Sequence, residues 1–65
     1  MGRKEDAITY FKEGLVIKPS ASHARYELAL IYAGMGNKRA AMEEYEILKK
    51  LEPSLAETLL REIGR

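Results

Sequence analysis

Cysteine is absent from this 65-residue sequence. Disulfide frameworks, thiolate metal sites and cysteine nucleophiles are therefore excluded. The lack of cysteine fits a reducing compartment, and the cytoplasm is the expected location. No apolar run approaches the roughly 18 residues that a transmembrane helix requires. Nor does an apolar stretch long enough for a signal peptide follow Met1-Gly2-Arg3-Lys4-Glu5-Asp6. A dominant charge is missing too, because eleven basic residues stand against ten acidic ones, interspersed, for a net +1. That balance offers no electrostatic footprint for DNA, RNA or an anionic membrane, so neither nucleic acid nor membrane is an expected partner. What remains is an ordinary soluble composition, 46% apolar and 32% charged. A chain this short buries only about 60% of its unfolded surface. Partners or self-association often supplement so small a core.

Shifted by 34 residues, the sequence lines up with itself. Met1-Gly2 falls on Met35-Gly36, Lys4 on Lys38, Ala7 on Ala41, and Pro19-Ser20 on Pro53-Ser54, six identities within residues 1–20. Ile8 pairs with Met42, Phe11 with Tyr45 and Ile17 with Leu51. The matching positions are small, aromatic, apolar or helix-breaking. The mismatched ones, such as Glu5 with Arg39, are mostly charged. Sorting of this kind by chemical role marks a structural repeat.

Between the breakers the pattern predicts helices. Residues 4–17 place Ala7, Ile8, Phe11 and Leu15 on one face, and Pro19 ends that helix. Ser20 and Ser22 are N-cap candidates for a second helix over 22–34, whose face is Ala24, Leu28, Ile31 and Tyr32 with Ala29 beside them. Gly34 and Gly36 stop it. Asn37 is the expected cap of a third helix over 38–51, with Ala41, Tyr45, Leu48 and Leu51 as its face. Ser54-Leu55-Ala56-Glu57 reads as a capping box opening a short fourth helix, with Leu55, Leu59, Leu60 and Ile63 as its apolar stripe. Turns of about two to four residues make neighbouring helices antiparallel. No run alternates at the period of a strand.

These residues resemble the tetratricopeptide repeat, whose pattern is W-x2-L-G-x2-Y, then A-x3-F, then P over 34 residues. Here it reads Arg25-x2-Leu28-Ala29-x2-Tyr32, Ala41-x3-Tyr45, Pro53, preceded by a partial copy, Ala7-x3-Phe11 and Pro19. Arg25 stands in place of tryptophan and Ala29 in place of glycine. The resemblance implies an all-α fold, a superhelix (solenoid) of four antiparallel helices in a single domain. Residues 1–20 would be helix B of a partial repeat, 21–54 a complete repeat, and 55–65 a C-terminal capping helix. The last helix departs from the pattern: strict spacing puts Glu62 under Leu28, and a one-residue slip puts Ile63 there and Leu60 under Arg25. A cap is the preferred reading. Because the chain opens on a B helix, it is expected to be a C-terminal piece of a longer repeat protein.

The resemblance further implies that A helices line a concave surface. In the complete repeat the partner-facing candidates are then His23, Tyr26, Glu27, Leu30, Ala33 and Gly34. Leu30 and Glu27 stand where a carboxylate clamp would carry asparagine and arginine, which argues against such a clamp. Tyr26 and Leu30 beside small Ala33 and Gly34 suit an apolar helix or extended segment, although both could instead pack on a neighbouring repeat. The expected function is a non-catalytic protein-interaction scaffold, binding a protein or peptide with an apolar segment. The alternatives are a structural segment that homo-oligomerises through exposed solenoid ends, and a designed or excised folding unit.

No catalytic residue, cofactor or metal ligand is expected. His23, the single histidine, reads as a solvated residue at a helix start. Glu43, Glu44 and Glu46 read as a solvated face rather than a metal site, having no histidine or cysteine beside them. Met1-Gly2-Arg3 and Gly34-Met35-Gly36 lack the pattern of a phosphate loop. Ser20, Ser22 and Ser54 have no base spaced to activate them. Tyr10, Tyr26, Tyr32 and Tyr45 could stack on RNA bases, but no basic groove accompanies them.

Overall fold

The computed structural model describes Arg3–Gly64. The match of Met1-Gly2 to Met35-Gly36 therefore lies outside the described residues. Four helices follow one another: α1 (Arg3–Ile17), α2 (Ser22–Gly34), α3 (Lys38–Leu51) and α4 (Pro53–Ile63). The described residues contain no strand. The body measures 32 × 29 × 15 Å. α2 is the hub, since it packs against α1, α3 and α4, while α3 also packs on α4. α1 touches α2 alone.

The helix ends show how local chemistry and packing divide the work. Asn37 caps α3 as its sequence position predicts, its side-chain oxygen accepting from the Ala40 backbone N–H at 3.3 Å. α2 ends in a paired C-terminal arrangement: the Gly36 N–H donates to the Ala33 carbonyl at 3.1 Å and the Asn37 N–H to the Tyr32 carbonyl at 2.8 Å. That geometry holds Gly36 at φ +80°, whereas Gly34 remains helical. The expected serine caps do not form. Ala21, between Ser20 and Ser22, is the N-cap of α2 and makes no side-chain bond. The turn after Pro19 delivers Ala21 to the cap position, one residue away from either hydroxyl.

The capping box at Ser54 is overturned in the same way. Glu52 is the N-cap and Pro53 is the first helical residue, so α4 starts two residues before Leu55 and Ser54 lies inside it. Proline suits this position because its fixed φ is helical and its missing N–H would have no partner there. Glu52 serves both helices: its N–H donates to the Leu48 carbonyl at 2.7 Å and its carbonyl accepts from Ala56 N–H at 3.0 Å. One residue thus replaces the expected longer turn.

The core is small and close-packed. Ala29, Ala41, Leu48 and Leu59 are fully buried, with Leu28 and Ala56 at 1% exposure. Leu15 is the one buried residue of α1, at 8%, and Ala7, Ile8 and Phe11 on the same face are half-buried. Tyr26, Leu30, Tyr32, Ala33, Tyr45, Leu55 and Ile63 pack around the central cluster. Two expected core positions lie at the surface instead, Leu51 at 39% and Leu60 at 43% exposure. On α4 the covered residues are Leu55, Ala56, Leu59 and Ile63. Glu62 falls under Leu28 yet is exposed, because no helix among the described residues covers that side of α4.

Glu44 does not belong to the solvated face expected for the α3 acids. Its Oε1 lies 2.8 Å from Arg25 Nη1, with both side chains about 15% exposed (14% and 15%). Arg25 Nε also donates to the Pro19 carbonyl at 2.9 Å. One side chain thereby joins the α1–α2 turn, α2 and α3, in the position where the repeat pattern has tryptophan. A half-buried, hydrogen-bonded pair is sheltered from the screening that weakens exposed pairs.

Three stability outcomes are expected. Ala41→Leu overpacks the α2–α3 crossing and costs about 1–3 kcal/mol; an unchanged melting midpoint would remove Ala41 from that contact. Gly36→Ala places a Cβ in the left-handed region and costs about 1 kcal/mol, read from a urea midpoint. Arg25→Met strands Glu44 without its partner and costs about 1–3 kcal/mol. Adding Glu44→Leu then restores most of the loss; purely additive losses in the double-mutant cycle would mean that the pair is uncoupled.

Candidate protein-interaction surface

At 100° per residue, positions 23, 27, 30 and 34 form one line along α2. His23, Glu27 and Gly34 on that line are exposed and Leu30 is half-buried. Tyr26 and Ala33 flank it, also half-buried. Tyr26, Leu30 and Ala33 lean on the central cluster of the chain itself. The six candidates thus share one side of α2 but divide in their surroundings: three support the core from outside, and three face solvent.

α4 prolongs this side. Shifting by 34 residues sets Leu60 under Tyr26, Glu57 under His23 and Arg61 under Glu27. Leu60 is 43% exposed, and Glu57 and Arg61 are exposed. α2 and α4 are in contact, and the apolar residues at these equivalent positions are Tyr26 and Leu30 on α2 and Leu60 on α4. The mutual position of α2 and α4 is set by the buried Ala29, Ala56 and Leu59 beneath.

A second feature was legible in the sequence only as the general expectation of exposed solenoid ends. An open hollow of about 570 Å³ lies between α1 and the first half of α2. Tyr10, Phe11, Glu13, Gly14 and Ile17 line it from α1, Ala21 from the turn and Ala24 from α2. His23 and Glu27 reach it from the predicted partner-facing set. Tyr10 is 72% exposed and Ile17 86%. The rings of Tyr10 and Phe11 meet edge to face, with centroids 5.6 Å apart. Gly14 creates much of the space, since nothing lies within 4 Å of where its Cβ would stand. The signal was present in the repeat alignment, where Gly14 falls under the fully buried Leu48.

Neither surface assembles reactive groups. Among the described residues no three His, Asp or Glu side chains converge as metal ligands would. No described helix is long and apolar enough to cross a membrane.

A family model described as Tetratricopeptide repeat matches residues 22–55, just over half of the chain. The match opens on Ser22, the first residue of α2. No curated protein and no solved structure matched the chain. Tetratricopeptide repeats generally mediate protein–protein interactions, and the family is typically non-catalytic. A 34-residue internal period, four helices joined by short turns with alanines buried among them, and the matched span agree: the chain belongs to the tetratricopeptide repeat family.

Proposed function

We propose that this chain is a non-catalytic interaction scaffold whose partner surface is the outer side of α2 continued onto α4. What supports the reading is that Tyr26 and Leu30 on α2 and the exposed Leu60 at the equivalent position of α4 are apolar, with His23, Glu27, Glu57 and Arg61 exposed on the same two helices. A helix or extended segment with two or three apolar anchors fits such a surface, and the charged residues fix its orientation. Ala33 and Gly34 leave room for the partner's backbone to approach. On this reading residues 1–20 are helix B of a partial repeat, 21–54 the complete repeat and 55–65 the cap, within which Glu62 turns a charge toward water. The partner is a protein or peptide, and the cysteine-free composition favours a cytoplasmic setting.

Selection from a displayed library of amphipathic peptides against the immobilised chain tests this directly. Peptides with apolar anchors should be enriched. Leu60→Lys should weaken their binding at least about tenfold, the loss of one anchor of about 1.4 kcal/mol. Leu30→Lys should do the same, with a melt run in parallel because Leu30 also leans on the core. Enriched peptides indifferent to both changes would place the partner surface elsewhere.

A further inference from the structure

The buried cluster at the centre of the molecule draws on three helices. Ala29 comes from α2, Ala41 and Leu48 from α3, and Ala56 and Leu59 from α4. The half-buried apolar side chains packed against that cluster belong to the same three helices. α1 contributes to neither group. It touches α2 alone, and Leu15 is its one buried residue. Ala7, Ile8 and Phe11 on the same face stay half-buried. Segments with few buried apolar contacts open at lower free energy than the core they lean on.

What fastens the turn between α1 and α2 is a side chain of α2. Arg25 Nε donates to the Pro19 carbonyl at 2.9 Å, and among the described residues no other side chain hydrogen-bonds to that turn. The same guanidinium is held from the far side, where Nη1 donates to Glu44 Oε1 of α3 at 2.8 Å. α3 does not touch α1. Arg25 therefore carries the influence of Glu44 across to a turn that α3 cannot reach. A planar fork serves two acceptors in fixed directions, which the single ammonium of a lysine on its flexible stem does not.

We propose that α1 is a hinged strap that leaves α2 as one unit while α2, α3 and α4 stay folded, and that Arg25, held by Glu44, is the latch that keeps it closed. Undocking uncovers Leu15 and removes the α1 wall of the hollow, so the hollow exists only in the latched form. α1 has 15 residues with Gly14 inside it. A helix of that length is marginal in water, and an interior glycine weakens it further. Away from α2 it loses its own hydrogen bonds, so its amides report each undocking.

Native-state hydrogen exchange of the whole chain, read amide by amide by NMR at several low urea concentrations, tests this. In the unmodified chain the α1 amides should be at least about tenfold less protected than the slowest amides of α2, α3 and α4. Their exchange should also depend less on urea, because undocking exposes less surface than global unfolding. Arg25→Lys keeps a positive charge opposite Glu44 and gives up the Nε bond to the turn. It should speed α1 exchange about five- to tenfold, the worth of one hydrogen bond, and leave the other helices within about twofold. Glu44→Gln, a change on a helix that does not touch α1, should speed α1 exchange as well. Equal protection with equal urea slopes in all four helices would overturn the proposal. So would an Arg25→Lys variant that speeds every helix alike or leaves α1 unchanged, or α1 amides indifferent to Glu44→Gln.

Discussion

Alanine at the helix crossings sets how near α2 can come to α3 and α4. Ala29, Ala41 and Ala56 are sealed to 1% exposure or less. Close helix approach leaves no room for longer side chains at the crossing, so the large residues fill the layers on either side. Leu28, Leu48 and Leu59 are the largest fully buried side chains. Tyr32 and Tyr45 pack around them. The hub position of α2 follows from this, because it alone meets all three other helices. Both candidate surfaces inherit their geometry from it: one is the side of α2 that turns away from the crossings, and the other is the angle it makes with α1.

The two ends of the molecule are dressed differently. The outer side of α4 is polar, and Glu62 stands in water where Leu28 stands in the core. α1 carries a tyrosine and an isoleucine largely in solvent around a glycine. In stacked repeats each unit hides its apolar side against a neighbour. Arg25 and Glu44 add a different kind of tie, a polar pair between the two helices of the complete repeat where an aromatic would otherwise sit.

Much of this was legible before any coordinates, and the misses have a common cause. The repeat pattern located the helices to within a few residues, because Pro19 and Gly36 act through their own backbone conformations. Asn37 capped as read, since a cap acts within three residues. Ser20, Ser22 and Ser54 did not cap, because several residues within one turn could each take that role and packing chose among them. Leu60 read as core for its type and spacing, yet Leu59 took the buried place. At two adjacent leucines the helix rotation is decided by the neighbouring helices. Glu44 looked like any surface acid on α3 until α2 brought Arg25 beside it.

By itself the sequence determined what depends on local chain chemistry and on spacing: an all-helical repeat, the Asn37 cap, the turn at Gly36 and most of each helix's apolar side. Tertiary structure decided what depends on distance between residues far apart in the chain. It set which leucines of α4 are buried, the Arg25–Glu44 pair, the division of the α2 side between support and surface, and the hollow at Gly14. Those features arise only when separate helices meet, because burial and the room around a side chain are properties of the neighbours as much as of the residue.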